Sequence, residues 1–486
     1  MAKANNNLVV GLSLVAARGG LLFGYDTAVI SGAVGAIDAN FIKPQHLTET
    51  AQSALSGWTI SSALLGCVVG AAIGGPISQR FGRKGGLMFA ALLFLLGSIG
   101  SAVPELGLGK IGAMGPHALT PFILYRILGG VGVGMASMLS PLYIAEIAPA
   151  ESRGRFVTFQ QVAIVGGISL VYFVNWAIAS QGNDAWILST GWRWMLASEV
   201  VPALALMILL LFVPDTPRWL VMKGRDAEAL AVLHRLTDDA DAKAVMVEIE
   251  DSLVVKTEKL FAFGGLVLFV GLALSVFQQF VGINAVLYYA PLMFKNLGAS
   301  TDSALLQTII IGIANVGFTL VALVSVDRWG RKPLLVTGAL VMAVAMIALG
   351  FLFSAHAVGI WALVAVVAYI AGFAMSWGPV VWVLLAEIFP NSIKGKAMGI
   401  AVAVQWIANL FVSASFKVLD GNSLLNAMFN HGFAYWIYGA MSLLAAWFVI
   451  RFVPETKGRS LEAIQQIWGR PGAPAPVAEV AAAEAP

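Results

Sequence analysis

Four ionisable side chains stand within long apolar runs of this chain: Arg18, Asp26, Arg126 and Glu199. A charge in hydrocarbon costs at least roughly 2–3 kcal/mol, so each calls for a partner or a task. Asp26 and Arg126 fall in the middle of their runs. A carboxylate in a low dielectric favours its neutral form unless a nearby cation restores the charge. Such a pair can switch, with Asp26 either ionised beside Arg126 or protonated and released, which makes a proton-linked gate. A static salt bridge between two helices is the other reading the residues allow. Arg18 lies about 12 Å from Asp26 along a straight helix, too far for direct pairing. Its side chain either snorkels to the cytoplasmic surface or lines a cavity open to that side, where it would bias the acidity of Asp26.

A second group is neutral. The run "FQQFVGINAVLYYAP" carries Gln278, Gln279, Asn284, Tyr288 and Tyr289. Gln279 and Asn284 are five apart and Asn284 and Tyr288 four, so a loosely wound helix aims them at one cavity. Gly282 and Pro291 are expected to interrupt that helix beside a binding site. Gln161, Asn315, Trp382, Gln405, Trp406 and Asn409 also lie inside apolar runs. Amides offer donors and acceptors together, and an indole offers a flat apolar face with one donor. That combination suits a neutral polyhydroxyl ring. Interhelical bonding is the competing role for these amides, and it is the one favoured for Asn409.

These residues need membrane-spanning helices to hold them. Of the 486 residues 59% are hydrophobic and only 11% charged, against about 25% charged in a soluble domain. Spans need about 20 apolar residues each, and about twelve runs qualify. They lie near 8–30, 54–78, 85–103, 119–141, 156–180, 192–213, 260–288, 303–325, 332–354, 360–385, 396–417 and 430–453. The expected fold is an all-α polytopic membrane protein of two six-helix bundles. Its parts would be an N-terminal bundle (1–213), cytoplasmic linker helices (214–259), a C-terminal bundle (260–453) and a partly disordered tail (454–486). Of the 29 Lys and Arg, Lys43, Lys110, Arg193, Lys295 and Lys417 fall on one side and Arg18 and Arg126 within spans. The rest share the side of both termini, which the positive-inside rule makes cytoplasmic.

The halves echo each other. "ISQRFGRKGG" follows the second run and "SVDRWGRKPL" the eighth, and "YIAEIAPAESRGR" matches "LLAEIFPNSIKGK" with Glu146 onto Glu387. "PDTPRWL" matches "PETKGRS" at the end of each half. A duplicated six-span unit is the parallel repeat of a rocking-bundle transporter. No phosphate-binding G-x-x-x-x-G-K-[ST] loop occurs, and "GGVGVG" inside a span reads as close helix packing. Five histidines and one cysteine, Cys67, make no metal set. The expectation is a transporter, not an enzyme, with no cofactor, driven if at all by an ion gradient.

The stretches "GGLLFGYDTAVISG", "RFGRK", "ASMLSPLYIAEIAP", "PDTPRWL", "QQFVGINAVLYYAP", "DRWGRKPL", "SWGPVVWVLLAEIFP" and "FVPETKGRSLE" resemble the sugar porter family of the major facilitator superfamily. The resemblance covers roughly residues 8–468 and is nearest to bacterial D-xylose:proton symporters and bacterial glucose transporters. It implies alternating access around one hexose or pentose, of the glucose or xylose class. Sugar contacts would be Gln161, Gln278, Gln279, Asn284, Asn315, Trp382 and Gln405, with Phe23, Tyr288, Phe373, Gly378 and Trp406 lining the pocket. Asp26 would couple protons with Arg126 as partner and Glu199 nearby. Arg80, Arg83, Glu146, Arg153, Arg328, Arg331, Glu387 and Lys394 would form a cytoplasmic charge network latching the outward-open state. Partners would be a monosaccharide, protons and the lipid bilayer, without nucleic acid. The expected protein is a monomer in the bacterial inner membrane with both termini cytoplasmic. Proton symport is the leading reading; a facilitated-diffusion uniporter and a sugar sensor are the alternatives. Three residues depart from the family pattern: Gln79 in place of the acid that Asp327 keeps, Ile168 in place of a pocket glutamine, and Arg18.

Overall fold

The computed structural model describes residues 6–106, 115–149, 153–253, 259–356 and 359–457. Among these, eleven helices are long and apolar enough to cross a membrane. One of them, Glu49–Ala102, has 54 residues, about 80 Å of helix against a hydrocarbon core of about 30 Å. It folds back at Gly82, whose φ of 88° and ψ of 165° are not helical, and so crosses twice. Twelve spans result. In chain order they are Asn7–Gly32, the two arms of Glu49–Ala102, Pro116–Ile147, Phe156–Ala179, Asp184–Leu211, Gly265–Asn296, Thr301–Val326, Arg331–Ser354, Ile360–Ile388, Ile393–Asp420 and Phe433–Phe452. Between the sixth and seventh lie the helices Pro217–Met222, Asp226–Leu236 and Asp239–Leu253. From residue 458 the tail falls outside the described residues.

The sequence repeat is a repeat of geometry. Gly82 after the second span and Gly330 after the eighth share one backbone conformation, φ 88° and 91° with ψ 165°. A Cβ at Gly82 would overlap the Asp215 carboxylate, and one at Gly330 the Glu455 carboxylate. The amide of Lys84 donates to Asp215, and the amides of Arg331 and Lys332 donate to Glu455. Arg83 pairs with Glu146 at 2.8 Å, Arg331 with Glu387 at 2.8 Å. Thr216 donates to Glu146 and Thr456 to Glu387, at 2.5 and 2.6 Å. Even the ammonium groups agree, Lys84 bonding the Leu211 carbonyl and Lys332 the Ile450 carbonyl. Each motif thus closes one half on itself at the face where the first span begins and the twelfth ends, the terminal face.

Three spans are broken where polar residues gather. The seventh divides at Gly282 (φ 94°) into Gly265–Phe280 and Ile283–Asn296, and the freed Val281 carbonyl accepts from the Tyr369 hydroxyl at 2.8 Å. Pro291, expected to interrupt as well, stays inside the second segment. The tenth carries a π-helical turn at Phe373–Trp377 just ahead of Pro379, the kind of local widening that often marks functional sites. The sixth loosens at Ser198 and Glu199, ahead of Pro202, which lacks the N–H that would bond back. The glycine run of the fourth span does pack closely: Gly130 meets the Ala63 backbone and Gly134 that of Cys67.

The two bundles meet unevenly. Among the described residues, every hydrogen bond or ion pair joining them lies towards the face opposite the termini. Tyr172 donates to the Leu287 carbonyl at 2.7 Å, Trp176 to Asp302 at 3.0 Å, and Lys417 pairs with Asp38 at 2.9 Å. The described residues thus bond the bundles at that far face and not at the terminal face.

Candidate functional site

The first, fourth and sixth spans bring the buried charges together. Arg126 Nη1 donates to Asp26 Oδ1 at 2.8 Å, and Nη2 to the Asp26 carbonyl at 3.3 Å. Glu199, 1% exposed, lies on the sixth span with its carboxyl near that of Asp26. Asp26 Oδ2 and Glu199 Oε1 have no donor. One guanidinium thus faces two neighbouring acids and bonds one of them, Asp26. Beside it, Tyr25 and Ser198 join hydroxyls at 2.7 Å, fixing the loosened turn of the sixth span.

The amides cluster in the other bundle. Gln278 donates to the Trp377 and Gly378 carbonyls at 3.1 and 3.4 Å, beside the π-helical turn. Its Oε1 accepts from Gln279 at 3.1 Å and from Gln405. Asn284 donates to Gln279 at 2.6 Å, across the break at Gly282. These four amides form one chain drawn from the seventh and eleventh spans. Gln405 Oε1 ends it without a partner, and among the described residues the side chains of Gln161 and Asn315 make no hydrogen bond. Phe23 packs on Trp406 across the bundle boundary, with ring centres 5.2 Å apart. Trp382 and Phe373 are half-buried, and Gly378 lies against the Phe373 ring. Tyr288 is buried and takes a long bond of 3.4 Å from Asn409, which also accepts from Ser413 on its own helix. Asn409 therefore bonds helices together, as its isolation in sequence suggested.

A groove of about 840 Å³ exists elsewhere, walled by Leu340, Val344, Phe351, Trp361, Val364 and Ala368. It has no polar side chain to hold a hydroxyl, and as the outer side of the ninth and tenth spans it suits lipid.

The charge network is only partly assembled. Arg83–Glu146 and Arg331–Glu387 form, each within one half, while Arg80 and Arg328 are exposed and have no side-chain ion pair. Arg80 stacks over Phe81, and Lys394 is half-buried near Glu387 without a direct bond. The side chains of Arg153 and Asp327 lie outside the described residues. The Gln79 carbonyl accepts from the Trp219 indole at 3.0 Å. Sequence reading missed Asp215, Thr216, Glu455 and Thr456, although their places in the repeated "PDT" and "PET" pointed to them. Outside the spans, burial raises Asp215 above the usual carboxylate range. Burial also opposes the Glu455 charge, but the backbone amides of Lys457, Arg331, Lys332 and Thr456 outweigh it and hold that carboxyl low.

Arg18 does not line the space between the bundles. It is exposed and stands about 140° around the first span from Phe23, whose ring faces Trp406. It shares a face with Tyr25, two turns away, which bonds the sixth span. Ile168 is buried where its backbone closes on Gly24.

Residues 12–468 match the family described as Sugar (and other) transporter. The chain is 52% identical to the D-xylose-proton symporter of Escherichia coli over 476 residues, 96% of each protein. It is 49% identical to the glucose facilitated diffusion protein of Zymomonas mobilis, over 96% of this chain and 99% of that one. Among solved structures it resembles the xylose transporter of Escherichia coli in a partially occluded inward-open conformation. That likeness has a TM-score of 0.85 at 50% identity, covering 93% of this chain and 99% of the other. Closure at the far face alone agrees with an inward-open state. The chain belongs to the sugar transporter family, with the twelve-helix major facilitator fold and transport by alternating access.

Proposed function

We propose that this protein is a proton-coupled symporter of a monosaccharide of the glucose or xylose class. The observation that carries the coupling is the buried Asp26–Arg126 pair, 2.8 Å apart, with a second buried acid, Glu199, close by. In the proposed cycle Asp26 takes a proton from outside and loosens from Arg126, freeing the first span to move against the seventh and eleventh. Sugar bound by Gln161, Gln278, Gln279, Asn284, Asn315, Trp382 and Gln405 replaces the bonds these amides make to one another. Return of Asp26 to Arg126 expels the proton inside. The named relatives transport D-xylose with protons in one case and glucose by facilitated diffusion in the other, so both sugars belong in the test.

The same reading makes the terminal face cytoplasmic, from its Lys and Arg excess, and the protein a monomer of the bacterial inner membrane. The test is counterflow in proteoliposomes against a panel of sugars, repeated with a proton-sensitive dye. Sugar addition should draw protons inward, and Asp26→Asn should lose accumulation while keeping exchange. Sugar flux without proton movement would establish the uniporter instead, a reading favoured by the facilitated-diffusion relative.

A further inference from the structure

We infer that Asp38 and Lys417 form a latch at the far face that holds the two bundles in the inward-open state. Asp38 continues the first span beyond its 3-10 turn, and Lys417 stands near the end of the eleventh. Lys417 Nζ lies 2.9 Å from Asp38 Oδ2, with side-chain exposures of 12% and 19%. Among the described residues it is the one ion pair between the bundles; the pairs at the terminal face each stay within one half.

The surroundings prepare each partner. Ser56, at the start of the second span, donates to Asp38 Oδ1 at 2.5 Å and leaves Oδ2 for the cation. On the other side Asp420 stands one turn from Lys417 and is the local acid that would compete for it. His431 and Asn296 both bond its Oδ1, at 2.9 and 3.0 Å, while Lys417 reaches across to the other bundle. Gly57 permits the approach, since a Cβ there would overlap the Ala414 carbonyl and crowd the Lys417 Cβ. When the far face opens, both charges must part into water. A pair largely removed from solvent and then broken on one side leaves an uncompensated charge in the closed state only, which favours opening. Because Asp38 continues the helix of Asp26, the latch and the proton site ride on one element.

The inference rests on alternating access but not on proton coupling. It is tested in the full-length protein with spin labels on Leu47→Cys and Leu424→Cys, both exposed at the far face on opposite bundles, while the native Cys67 is buried. Lys417→Gln and Asp38→Asn should each raise the ratio of long to short label distance on the order of tenfold. Asp38→Lys combined with Lys417→Asp should restore the short distance, and Lys417→Arg should keep it. Unchanged ratios in the single variants, or a swap as open as either, would overturn the latch. Should the neutral variants fail to fold, an open far face in Lys417→Arg would do the same. Counterflow on the labelled wild type reports separately on transport, so its loss would count against the transporter and leave the distances standing.

Discussion

Arg126 Nη1 lies 2.8 Å from Asp26 Oδ1, and both side chains are only 3% exposed. The guanidinium is thus committed to one carboxylate, with Arg126 Nε and Asp26 Oδ2 unpartnered. Removing one member of a buried pair strands the other, at about 3–5 kcal/mol. Arg126→Gln should therefore lower thermal stability strongly, and Asp26→Asn added to it should recover most of the loss. Thermal unfolding of the three purified variants decides this. Additive losses in the double variant would mean that the two side chains do not act as a pair.

The amide chain separates sugar contacts from helix bonding. Gln278 donates to two carbonyls and accepts from two amides, so it organises the whole chain. Gln278→Ala should weaken sugar binding about 10- to 100-fold, the effect of about 1.5–3 kcal/mol of lost and orphaned hydrogen bonds. Asn409→Ala, whose bonds go to Tyr288 and Ser413, should change affinity less than about threefold. Equilibrium binding titrations with one sugar measure both. Equal losses in the two variants would erase the distinction.

Most of this architecture was legible because a membrane leaves few choices. Apolar runs must become helices, buried ionisable groups must find each other, and a duplicated motif must fold twice in the same way. Asp26 with Arg126, and Gln278 with Gln279, Asn284 and Gln405, could be read from that logic. What could not be read was side-chain destination at a fixed residue type. Glu146 and Glu387 were read as members of one cytoplasmic charge network, and each is held inside its own half by Arg83 or Arg331 and by Thr216 or Thr456. Pairing across the halves depends on the conformational state, which composition does not encode. Asp38 and Lys417 look like ordinary loop charges in sequence, and only the closed far face brings them to 2.9 Å.

His431 gives a pH dependence with a definite sign. Its bond to Asp420 raises its pKa above the ordinary value, against burial and the nearby Lys417. A raised folded-state pKa means the stabilisation is complete below the unfolded value of about 6.5 and fades as pH climbs through the folded one. His431→Gln should accordingly cost more stability at pH 6 than at pH 9. Melting temperatures of both proteins across that range test it; a gap that widens with rising pH contradicts the assignment.

Arg18 is the residue whose meaning the structure changed most. As a cation inside the first span it invited a role on the sugar route or on the acidity of Asp26. A helix that aims Phe23 at Trp406 turns Arg18 about 140° away, on the side of Leu14, which is 53% exposed. A long side chain there can carry its charge along the helix towards the headgroups while its methylenes stay in hydrocarbon. Arg18→Leu should leave sugar KM and the pH dependence of uptake within about twofold of wild type, because neither the amide chain nor the Asp26 group loses a contact. Uptake measured from pH 5.5 to 8 in proteoliposomes is the check. A shifted pH profile would show that the field of Arg18 reaches Asp26 through the bundle despite facing away from it. An unchanged profile agrees with a proposed proton site that does not include Arg18.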